Sequence, residues 1–286
     1  MKKHSMLGFT LIELMISLTL GLVIMLAAMQ LLLTNQMSFN LQSGMGNVQE
    51  NGRFALDYIN GTVRAAEYSQ NDTNSTTGII TDTNELPGLA ATAVNLISRN
   101  DLTALGKDSS DQLVTRMWVS QTMIDAGYRD CEGNAIASPR FVVIRYFVRA
   151  DTPSDSLAAL ACDAGSYTAD AAAIDGYGDD GIVLLSNLDS FQFFYGVAAL
   201  PTPELGQRYP VRYLTASEYT LLPAASRPVI VSLRVGLLVR SNEKVGTNIT
   251  TLPDVKVLEK TITGTDLNDK FIHRLFTSTL ALRNAI

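Results

Sequence analysis

The chain has 286 residues, 47% hydrophobic and 17% charged, with a formal net charge of −6 at pH 7. That length allows one large domain or two small ones, and an acidic balance with scattered basic residues argues against a nucleic-acid partner. Two cysteines without C-x-x-C spacing and two histidines argue equally against a zinc centre.

The N-terminal stretch "MKKHSMLGFTLIELMISLTLGLVIMLAAMQLLL" is read first. Lys2 and Lys3 lie near its start, and no charged residue occurs from Leu14 to Gln49. Leu14–Leu33 is apolar except for Ser17, Thr19, Gly21 and Gln30. As a helix it spans ~30 Å, enough to cross a bilayer core. The next base is Arg53, so the positive-inside rule places the N-terminus in the cytoplasm and the remainder outside. A secretory signal is cut after its apolar run, but "TNQMSFNLQ" offers no A-x-A-like site, and the small residue, Gly8, precedes the run. A cut after Gly8 removes the basic leader and leaves the membrane helix on the mature chain. Glu13 is the one acid close to this run, and a carboxylate inside a bilayer costs ~2–3 kcal/mol or more. After that cut, the α-amine of Phe9 stands four residues away. This is one helical turn, within reach of an ion pair inside the chain or between packed neighbours. The alternative places Glu13 simply in the headgroup zone.

Beyond Leu33 the pattern becomes one-sided. Met37, Leu41, Met45, Val48, Gly52, Leu56, Ile59, Val63 and Ala66 recur at spacings of three and four, one helical face over about eight turns. Gly44, Gly46, Gly52 and Gly61 each weaken a helix by ~1 kcal/mol relative to Ala, so they mark bends or sites of close packing. "QNDTNSTTG" is dense in turn formers and places the helix end near Ser69. The spacing holds no strict heptad, which favours packing on a sheet over a coiled coil.

The distal part is rich in period-two segments. Strands are expected at 112–119, 140–148, 181–186, 191–195, within "RPVIVSLRVGLLVRS" and in the tail "RLFTSTLAL". In "RPVIVSLRVGLLVRS", Val229, Val231, Leu233, Val235, Leu237 and Val239 share a face opposite Ser232, Arg234, Gly236 and Arg240, the pattern of a half-buried antiparallel strand. Thr215 and Glu218 form a capping box opening a short helix. One long helix followed by runs of strands predicts an α+β fold. The aromatics of "QFFYG" and Trp118 are read as core rather than as partner surface. Cys131 and Cys162 are read as a disulfide if the region is exported, closing a loop of about 30 residues and contributing ~3–4 kcal/mol; the other reading is two buried free thiols.

The segment "KKHSMLGFTLIE" resembles the class III signal of type IV pilins and pseudopilins: basic leader, Gly, aromatic residue, Thr, Leu, aliphatic residue, Glu. "NGRFALDYINGTVRAAEY", "LDSFQFFYG", "VSLRVGLLVRS" and "FTSTLALRN" are similar to PilW-type minor pilins, the last also to the J-type minor pseudopilin of type II secretion. Residues 70–110 and 242–265 match no pattern of either family and read as local insertions. The resemblance implies a leader at 1–8, a transmembrane helix at 9–33, an amphipathic extension at 34–69 and an α+β pilin domain at 70–286. It implies a long N-terminal helix whose second half packs on an antiparallel sheet. It further implies cleavage between Gly8 and Phe9 by a prepilin peptidase, N-methylation of Phe9, and pairing of Glu13 with the methylated amine of a neighbour. The expected partners are other minor pilins, the major pilin and the inner-membrane assembly platform. The expected place is the inner membrane with a periplasmic domain, then the pilus. Rival readings are the type II secretion pseudopilin and a single-pass anchored periplasmic enzyme or binding protein.

No catalytic constellation is expected. His4 belongs to the leader, and His273 has no nucleophile motif such as G-x-S-x-G beside it. No phosphate-binding glycine loop occurs, and no cofactor is expected. "ADAAAIDGYGDDG" offers Asp170, Asp175, Asp179 and Asp180 as oxygen ligands for Ca²⁺. Their spacing departs from an EF-hand and the terminal Glu is missing, so the stretch is read as a solvated turn and no metal site is assigned.

Overall fold

The computed structural model describes residues 10–66, 78–103, 109–152, 157–199, 209–245 and 252–282. Gly8, Phe9 and the leader lie outside the described residues. The first element, α1 (Leu11–Ala65), runs for 55 residues, about 80 Å at helical rise. It ends four residues before the position expected from the turn formers. The N–H of Ala66 still reaches the carbonyls of Thr62 and Val63, but its own ψ of 146° is extended, which ends this helix.

Two antiparallel sheets make up most of the rest. The first has the order β1-β2-β3-β4-β5, from β1 (Arg99–Thr103), β2 (Ser110–Val119), β3 (Arg140–Ala150), β4 (Ala158–Tyr167) and β5 (Ile182–Leu185). The second involves β6 (Leu188–Val197), β7 (Arg212–Leu214), β8 (Ile230–Arg240) and, after the hairpin β9 (Val255–Val257) and β10 (Lys260–Ile262), β11 (His273–Ala281). Its order is β11-β8-β6-β7. Two short helices, α2 (Gln121–Asp125) and α3 (Ala216–Thr220), sit in connections. Helix α3 opens with the expected capping box: Thr215 Oγ1 accepts from the N–H of Glu218, whose carboxylate accepts from the N–H of Thr215.

The main core lies where the sheets and α1 meet. Leu113, Ile144, Tyr146, Leu160, Phe191, Phe193, Leu233, Val235 and Leu237 bury there against Val48, Leu56, Ile59 and Val63 of the helix. The α+β expectation is met, with a second sheet added. The aromatics of "QFFYG" divide: Phe193 and Tyr195 are fully buried and Phe194 is half-buried; Trp118 is half-buried too, edge-on to Phe141 with ring centroids 4.9 Å apart.

The expected strands all form. Strand β4 escapes a sequence reading, since seven of the ten residues of "AALACDAGSY" are Ala, Gly, Asp or Ser, poor strand formers. It nevertheless pairs with β3 from Phe141↔Tyr167 to Ala150↔Ala158. Tertiary pairing overrides propensity here.

Strand β8 departs from the half-buried expectation in two ways. Its register against β6 skips Val231, Gly196 pairing with Ser232 and Val197 with Ile230. The side-chain parity therefore switches, and Ile230, rather than Val229 or Val231, joins the main core. The opposite face is also covered, as Leu238 packs with Val257, Ile262 and Leu267. The covering hairpin β9–β10 belongs to the segment 242–265, read from sequence as an insertion. The other unmatched segment does the same for the first sheet: Ile80, Leu86 and Ile97 pack on Val114, Val143 and Tyr167. Each unmatched segment roofs an outer sheet face.

Candidate functional site: an apolar helix seated on two sheets

Helix α1 is capped by its own first residues. Thr10 Oγ1 accepts from the N–H of Glu13 at 3.3 Å, and Glu13 Oε2 accepts from the N–H of Thr10 at 3.1 Å and its hydroxyl at 3.0 Å. This T-x-x-E box is a sequence-legible signal that the apolar pattern overshadowed. Glu13 is thus held within its own chain, its negative charge at the positive end of the helix dipole. Whether it also meets an amine at Phe9 falls outside the described residues.

From Leu11 to Leu33 the large apolar side chains stand exposed on every side of α1. This stretch is long and apolar enough to cross a membrane. An unpartnered surface of this size is costly in water, and a hydrocarbon environment or other helices must cover it. Met37, Leu41 and Met45, expected on the domain-facing stripe, are 52%, 45% and 41% exposed. Burial begins only at Gly44 and continues through Val48, Gly52, Ala55, Leu56, Ile59 and Val63. The helix projects past the sheets before it seats, which is why the first part of the stripe stays open.

The glycines divide between the two roles proposed for them. A Cβ on Gly52 would overlap the Phe276 ring on β11, and one on Gly44 would lie 2.8 Å from Val245 Cγ1. Gly46 and Gly61 face open space. Two glycines therefore permit close approach of the helix, and the others carry only their helix-propensity cost. Polar pins complete the seat: Asn60 Nδ2 donates to Ser278 Oγ at 3.2 Å, and Thr62 Oγ1 lies 2.6 Å from Tyr146 Oη.

Cys131 and Cys162 are joined by a disulfide, with Cα atoms 6.4 Å apart. It ties the connection after α2 to the middle of β4. Beside it, the buried Arg145 on β3 pairs with Asp163 on β4 at 2.8 Å. His273 is not an isolated imidazole: Nδ1 lies 2.6 Å from Asp189 and Nε2 2.7 Å from Asp269. Burial pulls its pKa down, but the two carboxylates outweigh this and hold it above the ordinary histidine value. With both ring nitrogens engaged, it has no free atom to offer a substrate. The residue fastens the starts of β6 and β11 and the loop between β10 and β11.

The chain matches the family model described as Type IV Pilus-assembly protein W over residues 145–284, and the prokaryotic N-terminal methylation motif over residues 4–29. Among curated proteins none matches the chain significantly. Among solved structures, a type IV-like pilin from Thermus thermophilus is similar at a TM-score of 0.42 and 12% identity, covering 83% of this chain and 98% of that one. The methylation motif at the head of an exposed apolar helix defines a membrane-anchored, prepilin-type protein. With the distal match, the chain carries a type IV pilus-assembly protein W domain behind a prepilin methylation motif, the marks of a PilW-type minor pilin of type IV pilus biogenesis. Proteins of this family are structural, and a role in pilus assembly entails contact with other pilins and the assembly machinery.

Proposed function

We propose that this minor pilin primes the type IV pilus, entering a complex with other minor pilins onto which the major pilin is added, and so supports twitching motility and adhesion. A prepilin peptidase cuts between Gly8 and Phe9, and Phe9 is N-methylated, which preserves its positive charge. The helix then spans the inner membrane with its N-terminus cytoplasmic and residues 70–286 as the periplasmic pilin domain. The observation that carries this reading is the first half of α1, apolar and exposed all round, with Glu13 the one charged side chain between Thr10 and Gln49. Apolar packing bundles such helices without selecting their depth. A single carboxylate does select depth, because leaving it unpaired in hydrocarbon is costly. Before assembly Glu13 closes on Thr10 of its own chain; in the filament it exchanges that partner for the methylated amine of an adjacent subunit.

Replacing Glu13 with Ala should leave a mature chain of normal mass, beginning at methylated Phe9, in cells that have lost surface pili. Unchanged pilus number in the variant refutes the register role. Deleting the gene separates this reading from that of a type II secretion pseudopilin. Loss of twitching and pili supports the pilus; loss of exoprotein secretion supports the rival.

A further inference from the structure

We propose that Glu132, Asp163 and Asp179 form a site for one calcium ion, locked in place by the Cys131–Cys162 disulfide. The three residues come from separate segments: the connection between α2 and β3, strand β4, and the loop between β4 and β5. Each presents a carboxylate oxygen within 4.8 Å of the other two. Two oxygens bound to one Ca²⁺ at about 2.4 Å each lie at most about 4.8 Å apart, so the triangle admits a common ion. The disulfide joins the immediate chain neighbours of Glu132 and Asp163, which fixes two of the three ligands against each other.

A second observation points to a ligand. Asp163 is 0% exposed, and its Oδ1 accepts no hydrogen bond among the described residues. Its other oxygen, Oδ2, accepts from Arg145 Nε at 2.9 Å and from the N–H of Gly178 at 2.9 Å. A buried carboxylate oxygen without a donor is costly, and a cation supplies what the protein does not. Arg145 also donates to the carbonyl of Asp179, holding the acidic loop over β4. One guanidinium against three carboxylates leaves two negative charges, which a divalent ion neutralises. An all-oxygen, all-carboxylate set selects a hard cation. Asp179 is exposed, so the ion can exchange with solvent. Of the four aspartates that the sequence offers in one run, only Asp179 takes part; the other two ligands are distant in the chain.

The test uses the full-length protein, solubilised in detergent with its disulfide intact and stripped with EGTA. Sites in extracellular modules bind with Kd of about 10⁻⁴–10⁻³ M. Addition of 5 mM CaCl₂ should then raise Tm by about 3–8 °C, and calorimetric titration should give one ion per chain. Asp179→Asn, at an exposed loop position, should keep the EGTA-state Tm within about 2 °C of wild type and weaken calcium binding at least tenfold. Glu132→Gln should do the same. The proposal is overturned if the wild type shows no rise in 5 mM calcium, if Asp179→Asn rises as much as the wild type, or if 5 mM MgCl₂ gives an equal rise.

Discussion

Gly52 offers a test of how α1 seats on the second sheet, because two opposing effects meet at one atom. In an exposed helix, Gly→Ala stabilises by about 1 kcal/mol, since Ala loses less backbone freedom on folding. At Gly46 and Gly61, where an added Cβ meets nothing within 4 Å, that full gain is expected. At Gly52 the same methyl overlaps the Phe276 ring, and forcing an extra carbon into packed side chains costs about 1–3 kcal/mol. The net effect of Gly52→Ala is therefore a loss of up to about 2 kcal/mol, opposite in sign to Gly46→Ala. Phe276→Ala removes the obstacle, so Gly52→Ala made in that background should recover a gain of about 1 kcal/mol. The coupling in this cycle is about 1–3 kcal/mol, far above the ~0.5 kcal/mol seen between independent sites. Urea unfolding of the detergent-solubilised full chain, followed by far-UV circular dichroism and by Trp118 fluorescence, measures all five variants. If Gly52→Ala stabilises as much as Gly46→Ala, or if the cycle is additive, the close approach of α1 to β11 is not what Gly52 permits.

Replacing Cys131 and Cys162 together by Ser should destabilise the domain by about 3–4 kcal/mol, from the loop entropy of a 31-residue separation; denaturant unfolding with the slope fitted separately for each protein reports it, and a loss under 1 kcal/mol refutes it. Stability should fall as pH rises from about 4 through neutrality. His273 has a raised folded pKa, so its contribution is complete below about 6.5 and is lost as pH climbs through the folded value. Asp111 acts in the same sense. Burial pushes it up to about 7 against hydrogen bonds from the N–H groups of Phe193 and Asp101, so stability present near pH 4 is lost as pH rises to about 7. His273→Asn and Asp111→Asn should each flatten the Tm–pH curve, and a curve unchanged in both variants refutes the assignment. Tyr146→Phe, which strips the hydroxyl facing Thr62 at 2.6 Å, should cost about 1 kcal/mol in the same unfolding assay; a neutral change means that Thr62, bonded also to the Ile59 carbonyl, needs no partner on the sheet.

The sequence by itself settles what depends on near neighbours in the chain. A run of apolar residues with no charge from Leu14 to Gln49 makes a membrane-length helix whatever the distal fold does. The alternation in 112–119 and 140–148 and the capping box at Thr215 declare their elements locally. Tertiary structure decides what needs a partner distant in sequence. Strand β4 exists because β3 and β5 flank it, not because Ala and Gly favour extended chain. The parity of β8 turns on one residue, Val231, passed over in its pairing with β6. Of the helical stripe, Met37, Leu41 and Met45 carry the right spacing and remain uncovered, because spacing fixes which face is apolar but not where the sheets begin. Glu132 and Asp163 meet Asp179 for the same reason: periodicity constrains residues a few positions apart, whereas the approach of distant segments is set by the packed core and its one covalent bridge.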